Sequence, residues 1–449
     1  MTPPPRRPAS EPDPAGALRP REPEGRALPG FATGWRFAAI LLALFLVNAL
    51  SQVDRILPFI LAESIRLEFG LSDTQIGLLT GAAFAACYAL LSLPLARAAD
   101  RGSPRIVLVV CIVLWSAMTA LGGFAAGFVL LALTRLGVAF GEAGAIPSGH
   151  AIIARRIRPE RRGLAIGVFS MGIPLGTMLG FVVGGAIGDQ FGWRTAMIGA
   201  GTVGVLVALL ALAVIGPTPP RPASAASPEP FLRSAFGLLT APGFRWLFAA
   251  TLAMGFAAAP FYAFSAAFLI RSHGLSATEA GLVFGLLQGA MGIAGAVLGG
   301  RGFDRAMRRG TGRLLGPPAY LFLIAGLTTA AALQAPSPWL AAALLVPAML
   351  AFAFALPWGF GAAHALAGPG REALASSLLV IAVGLVGPTL GPVLVGMISD
   401  AAATAGLPNA LALGLLVVPA ACVVAGLGYL NANRRIAAVL GGARQEATP

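Results

Sequence analysis

The sequence predicts an all-α polytopic membrane protein whose twelve transmembrane helices form two pseudo-symmetric six-helix bundles. Three observations lead there: an apolar composition outside the range of water-soluble chains, twelve apolar runs of spanning length, and short motifs recurring at matching places in the two halves. Apolar residues make up 57% of 449 and charged residues 11%, with a mean hydropathy of +0.82. Cys87, Cys111 and Cys422 all sit within apolar runs, which leaves no disulfide framework and no CxxC metal signature. The formal net charge is +13 and every basic residue is an arginine. These arginines are dispersed among loops rather than gathered on a soluble domain, so they point to membrane orientation and not to nucleic acid.

A spanning helix needs about 20 apolar residues. Runs of that kind occur at 37–62, 75–98, 105–124, 128–155, 163–187 and 193–215, then at 244–270, 278–300, 312–333, 338–366, 373–398 and 408–431. Residues 1–35, rich in Pro, Arg, Glu and Ala, read as a disordered cytoplasmic tail and not as a cleaved signal peptide. Residues 36–215 make the first bundle and 244–432 the second. Between them, 216–243 is a Pro/Ser/Ala linker carrying a short interfacial helix from Phe231 to Leu239, and 433–449 forms a second cytoplasmic tail. With both termini inside, 26 arginines fall on the cytoplasmic side, Arg66, Arg194 and Arg271 fall outside, and Arg55 and Arg135 are intramembrane. The positive-inside rule selects this orientation. The expected setting is a bacterial-type inner or plasma membrane, with the chain acting as a monomer.

The halves repeat each other. After the second span comes AxxxDRGSPR (Ala96, Asp100, Arg101, Arg105), and after the eighth GxxxDRAMRR (Gly300, Asp304, Arg305, Arg308, Arg309). The fifth span carries GIPLG (Gly172, Pro174, Gly176) and the eleventh GPTLGP (387–392). Such matches argue for duplicated bundles with a substrate path between them. With these motifs the chain resembles the major facilitator superfamily, whose loop after the second span reads G-x-x-x-D-R-x-G-R-R. The second-half copy fits that pattern; the first has Ala96, Ser103 and Pro104 at three of its positions. Within the superfamily, the first-span Asp54-Arg55 pair, RLGVAFGEAGAIPSGHAIIA (135–154), IPLGTMLGFVVGG (173–185) and GWR (192–194) resemble the spinster-like lipid transporters. Organic-anion symporters share related elements, so the resemblance leaves the substrate open.

Charges inside spans are rare and mark ion or substrate paths; here they are Asp54, Arg55, Arg135 and Glu142. At about 1.5 Å of rise per residue, Asp54 lies ~12 Å from the outer end of the first span and Arg135 ~10 Å from that of the fourth. The two can therefore meet at one level. Arg135 and Glu142 are two turns apart on one face, whereas adjacent Asp54 and Arg55 diverge by about 100°. The expected division of labour pairs Asp54 with Arg135 until protonation releases it, makes Glu142 a second proton site or alternate partner, and leaves Arg55 free for a phosphate or carboxylate headgroup. The resemblance implies the same roles. The competing reading is a fixed ion network tying two helices together.

The second half offers no deep carboxylate. Its candidate lining is Gln288, His364, Ser376, Ser377 and Thr389 with Phe261, Tyr262, Phe264, Phe360 and Trp358, joined by Asn48 of the first span. One charged wall and one apolar-aromatic wall suit an amphiphile. Glycines every four residues, Gly172 to Gly188 on the fifth span and Gly281, Gly285 and Gly289 on the eighth, let helices approach closely and slide. By the superfamily resemblance, Asp100/Arg101 and Asp304/Arg305 act as cytoplasmic gates that bridge helices in the outward-facing state. No HExxH, GxSxG or nucleotide-binding loop occurs, which argues against an enzyme and against ATP as the energy source. The leading function is therefore cofactor-free, proton-gradient-driven alternating-access transport of an amphiphilic anion such as a lysophospholipid or sphingoid phosphate. Organic-anion symport, drug/proton antiport and a non-transporting receptor are the alternatives.

Overall fold

The structure is a computed structural model that describes residues 31–217, 231–309, 314–367 and 371–446. Among these residues it is helical throughout, with eleven helices of spanning length and one shorter apolar helix. In chain order they are α1 (Gly34–Ile60), α2 (Asp73–Arg101), α3 (Pro104–Gly122), α4 (Phe128–Arg156), α5 (Pro159–Phe191), α6 (Trp193–Val214), α7 (Gly243–His273), α8 (Ala277–Arg308), α9 (Gly316–Ala332), α10 (Pro338–Ala367), α11 (Leu374–Thr404) and α12 (Ala410–Ile436). The twelve predicted runs are all present. A short helix is present where the interfacial one is expected, at Phe231–Thr240, with Ala235 and Leu238 buried and Phe236 exposed. The last helix runs on to Glu446, past the predicted end at 431, because NRRIAAVLGGA contains no proline to stop it. The N-terminal tail and the Pro-rich centre of the linker lie outside the described residues.

Four helices depart from regular α geometry where sequence reading treats them as continuous; in α12 the break falls at Leu416, between Ala410–Leu415 and the segment that begins at Val417. In α4 the first segment ends at Glu142 and the second begins at Ala145. Gly141 and Gly144 remove side chains there because α3 is in contact: an added Cβ would lie 2.7 Å from the Cys111 carbonyl oxygen or 2.4 Å from its sulfur. Pro147 follows in the first turn of the new segment, where its missing N–H is tolerated. Two further departures are π-helical turns, Leu78–Ala82 in α2 and Ala382–Val386 in α11. These two helices meet across the halves, Gly81 against Pro388 and Gly77 against Pro392. Single π turns mark places where a helix accommodates an insertion without breaking.

The halves are joined at the end far from the chain termini, and the sequence encodes that joint twice. GLSDTQ (70–75) opens α2 and GLSATE (274–279) opens α8, each forming a capping box through Ser72 with Gln75 and Ser276 with Glu279. The remaining free amides of each helix start are capped by an aspartate from the opposite half. Asp400 at the end of α11 accepts from the N–H groups of Asp73 (2.8 Å) and Thr74 (2.9 Å). Asp189 at the end of α5 accepts from those of Ala277 (3.2 Å) and Thr278 (2.6 Å). A carboxylate at a helix N-terminus gains from both the amides and the helix dipole. The joint therefore has the same twofold character as the sequence repeat.

The two glycine stripes serve different contacts. Gly172, Gly176, Gly180 and Gly184 of α5 face α1, within the first half: a Cβ on Gly176 would stand 2.2 Å from the Ala49 carbonyl oxygen. Gly281, Gly285 and Gly289 of α8 face Phe181 and Met178 of α5, across the halves. The close approach between bundles thus belongs to the α8 stripe, and the α5 stripe packs within its own bundle. Pro174 also faces the other half, with Gly292 opposite. Gly281→Ala places a methyl 2.2 Å from the Phe181 carbonyl oxygen and is expected to destabilise the far-end joint by about 1–3 kcal/mol. Gly300→Ala, where an added Cβ meets nothing within 4 Å, is the matched control in a thermal melt.

Candidate functional site

Four ionisable side chains of α1 and α4 meet inside the first bundle. Asp54, Arg135 and Glu142 are no more than 1% exposed, whereas the Arg55 side chain keeps 30% of its surface. Arg55 pairs with Glu142, its Nη2 donating to Oε2 at 2.7 Å and its Nε to the same oxygen at 3.3 Å. Phe84 and Tyr88, one turn apart on α2, lie 4.6 and 5.1 Å from the same guanidinium. Aromatic faces and a carboxylate together stabilise a cation in a medium that would otherwise expel it. Arg135 stands over the other side of this arrangement, 5.5 Å from the Phe84 ring. Its Nη1 donates to the backbone carbonyl of Asp54 at 3.2 Å.

The four charged residues of the spans do meet, but their pairing differs from expectation. Asp54 and Arg135 meet through the backbone and make no carboxylate–guanidinium bridge; neither oxygen of the Asp54 carboxyl has a hydrogen-bond partner. Arg55, expected to be free, is the partner of Glu142. The cause is the 100° step between neighbours on a helix. It turns Arg55 toward α2 and the lower half of α4, and leaves Asp54 aimed at α3. Facing Asp54 from α3 are the indole of Trp115 and the hydroxyl of Thr119, both fully buried.

Other expected lining residues divide into two groups. Asn48 donates from Nδ2 to the Phe169 carbonyl at 2.7 Å, so it is a bolt between α1 and α5 and not an open ligand group. Phe264 is 0% and Trp358 2% exposed; the first is core, and the second packs on Phe303 at 5.7 Å. Tyr262 and Gln288 are joined, Gln288 Nε2 donating to the phenol oxygen at 2.7 Å, and the amide oxygen of Gln288 is left without a partner. His364 is exposed and shares a 2.7 Å hydrogen bond with Ser376. Among the polar candidates of the second half, His364 and Ser377 are thus exposed, Tyr262 is half-buried and Gln288 is buried.

The expected gate residues Asp100, Arg101, Asp304 and Arg305 are exposed and form no ion pair among the described residues. The loop after α2 is held instead by Arg155, which donates to the carbonyls of Ala99, Gly102 and Asp100. Ion pairs between the halves lie at the far end, where sequence reading had not placed a gate. Arg271 of α7 grips both oxygens of Asp73, at 2.7 and 2.8 Å, and also reaches Glu63. Glu63 is shared with Arg66 at 2.7 Å, and Ser399 Oγ donates to Asp73 at 2.6 Å. Burial alone would raise the Glu63 carboxyl, but Arg66 and Arg271 outweigh it and hold it below its ordinary range. The readable signal for this latch was the duplicated GLS-x-T-Q/E box beside the few arginines on that side.

The halves are thus tied by ion pairs at the far end, while the motif loops at the opposite end carry none between the halves among the described residues. Comparison with known proteins agrees with this geometry. The sequence model described as Major Facilitator Superfamily matches residues 40–392. A protein of Mycolicibacterium smegmatis described as an MFS-type efflux pump is 36% identical over 392 residues, covering 85% of this chain and 89% of that protein. Crystal structures of a bacterial homologue of the human lysosomal transporter Spinster superpose with a TM-score of 0.77 at 29% identity. The unoccupied inward-facing form covers 91% of this chain and 98% of that one; the occupied inward-facing form covers 90% and 97%.

Proposed function

The chain belongs to the major facilitator superfamily, and on that premise we propose that it is a proton-coupled secondary transporter that moves an amphiphilic anion, such as a lysophospholipid or sphingoid phosphate, by alternating access. The observation that carries this reading is the half-open Arg55, clamped by Glu142, Phe84 and Tyr88 beside a carboxyl with no partner. With Asp54 ionised, the two arginines and two carboxylates sum to zero. Protonating Asp54 leaves a net charge of +1 in a poorly screened site. Proton and anion then favour each other's binding, the thermodynamic requirement for coupling them. The resemblance of the first-span Asp54-Arg55 pair and the 135–154 segment to spinster-like lipid transporters supports a lipid-like cargo. The arginine distribution supports a cytoplasmic terminus, so that the latched far end faces outward.

A second reading is supported by the relative described as an efflux pump: a neutral or cationic amphiphile exported in exchange for protons. Its charge logic is opposite, because a cation would favour ionised Asp54 and compete with the proton. Flux in proteoliposomes under imposed pH gradients of either sign separates the two, with lysophospholipids, sphingoid phosphates, small carboxylates and cationic amphiphiles as probes. Anion accumulation on the alkaline side supports the proposal. Flux indifferent to the gradient would make the protein a facilitator, and binding without flux would make it a receptor.

A further inference from the structure

Around Asp54 the first bundle buries several polar atoms that have no partner: both Asp54 carboxyl oxygens, Trp115 Nε1, Thr119 Oγ1 and Ser116 Oγ. Each orphaned buried polar group costs about 1–3 kcal/mol, so a cluster of them at one place calls for a state of the protein in which they are satisfied. Trp115 and Thr119 are one helical turn apart on α3, on one face, and that face meets Asp54. Ser116 is turned away toward α6, where a Cβ on Gly204 would stand 2.0 Å from its hydroxyl. Gly141 lets α3 come against α4 at this level, an added Cβ lying 2.8 Å from Trp115 Cβ. This packing fixes the Trp115 Cβ against α4, and rotation of the indole about its side-chain bonds carries its N–H toward or away from Asp54.

We propose that Trp115 and Thr119 are positioning residues for proton coupling, a two-donor cradle that closes on the Asp54 carboxylate when it is ionised and opens when it is protonated. The inference rests on the proposed coupling role of Asp54. The chemistry is directional: an indole N–H only donates, so it can serve a carboxylate but offers no acceptor to a protonated carboxyl. Arg135 commits its Nη1 to the Asp54 backbone carbonyl, and its Nε, buried without a partner, is a guanidinium donor that competes with α3 for the carboxylate. The other charged or titratable groups nearby are Glu142 on α4, paired with Arg55 of α1, and Tyr88 of α2 against Arg55. At this level α5 presents Gly180 to Val53 and Ile56 of α1. The donors for Asp54 thus come from α3, a helix the charge pattern in the sequence does not single out.

The test reads protonation directly and needs no substrate. In full-length protein in nanodiscs, the infrared carbonyl stretch of protonated Asp54 is identified as the band missing in Asp54→Asn and is titrated with pH. Trp115→Phe and Thr119→Val should each raise the titration midpoint by about one pH unit, because each removes a hydrogen bond to the charged form. Thr119→Ser, which restores a hydroxyl, should return it to the wild-type value, and Ser116→Ala should leave it unmoved. Midpoints of Trp115→Phe and Thr119→Val within 0.3 unit of wild type, a margin of roughly 0.4 kcal/mol, would overturn the cradle, as would a shift of equal size in Ser116→Ala. An Asp54 band that titrates as expected while wild-type flux ignores a pH gradient would refute the proton-coupled reading of the function and leave the donor cradle around Asp54 standing.

Discussion

Asp54→Asn is expected to abolish accumulation driven by a pH gradient, lowering it at least about 100-fold, while downhill exchange of the same substrate continues. The amide has the shape of the carboxyl but cannot change its charge, so the cluster of Arg55, Arg135 and Glu142 is fixed at +1. Two unit charges about 4 Å apart interact by roughly 4 kcal/mol at an effective dielectric near 20, and each 1.4 kcal/mol is a factor of ten. Switching one charge in such a site therefore carries enough free energy to couple the proton to an anion across two orders of magnitude. Loss of fold would not mimic the result. Asp54 is fully buried with neither oxygen hydrogen-bonded, so replacing it by a neutral amide should leave the melting temperature equal or higher. Retained gradient-driven accumulation in Asp54→Asn would remove Asp54 from coupling and favour a fixed ion network.

Much of this arrangement was legible in the sequence, because burial of charge in an apolar run is the least ambiguous signal a chain can carry. Asp54, Arg55, Arg135 and Glu142 identified themselves in that way. Their pairing did not, since it depends on helix rotation, which period-based reading leaves undetermined for residues one apart. The α4 break after Glu142 was equally hidden: GEAGAIP reads as weakly helical, and only the contact of α3 with Gly141 and Gly144 shows why the helix yields there. Trp115 and Thr119 lie in a uniform apolar run whose composition does not distinguish them. Asn48, Phe264 and Trp358 were taken for lining residues because polarity and aromaticity show in sequence, whereas the direction a side chain faces between twelve helices does not. The loop motif was recognised, but which end of the molecule is bridged is a property of the conformation and is absent from the residues.

Arg271→Gln is expected to open the far end. The guanidinium holds Asp73 by two hydrogen bonds and Glu63 by a third, with 21% of its side chain exposed. A hydrogen bond to a charged group contributes about 1.5–3 kcal/mol; allowing for partial solvation of this site, the net loss should be near 2 kcal/mol, or about a 30-fold shift toward the opened state. Spin labels at Leu67 and Leu407, both exposed and on opposite halves, would report it as a longer distance population. Acid should act on the wild-type protein in the same direction. The Glu63 carboxyl sits below its ordinary range in the latched state, so its contribution is complete above the ordinary glutamate range and is lost as the pH falls through the depressed value. Glu63→Gln should remove that acid response and keep the Asp73 clamp. If the Arg271→Gln distances match wild type, the Asp189 and Asp400 helix caps and the α8 glycine seam hold the end shut without the latch. Gly281→Ala would then be the variant that opens it.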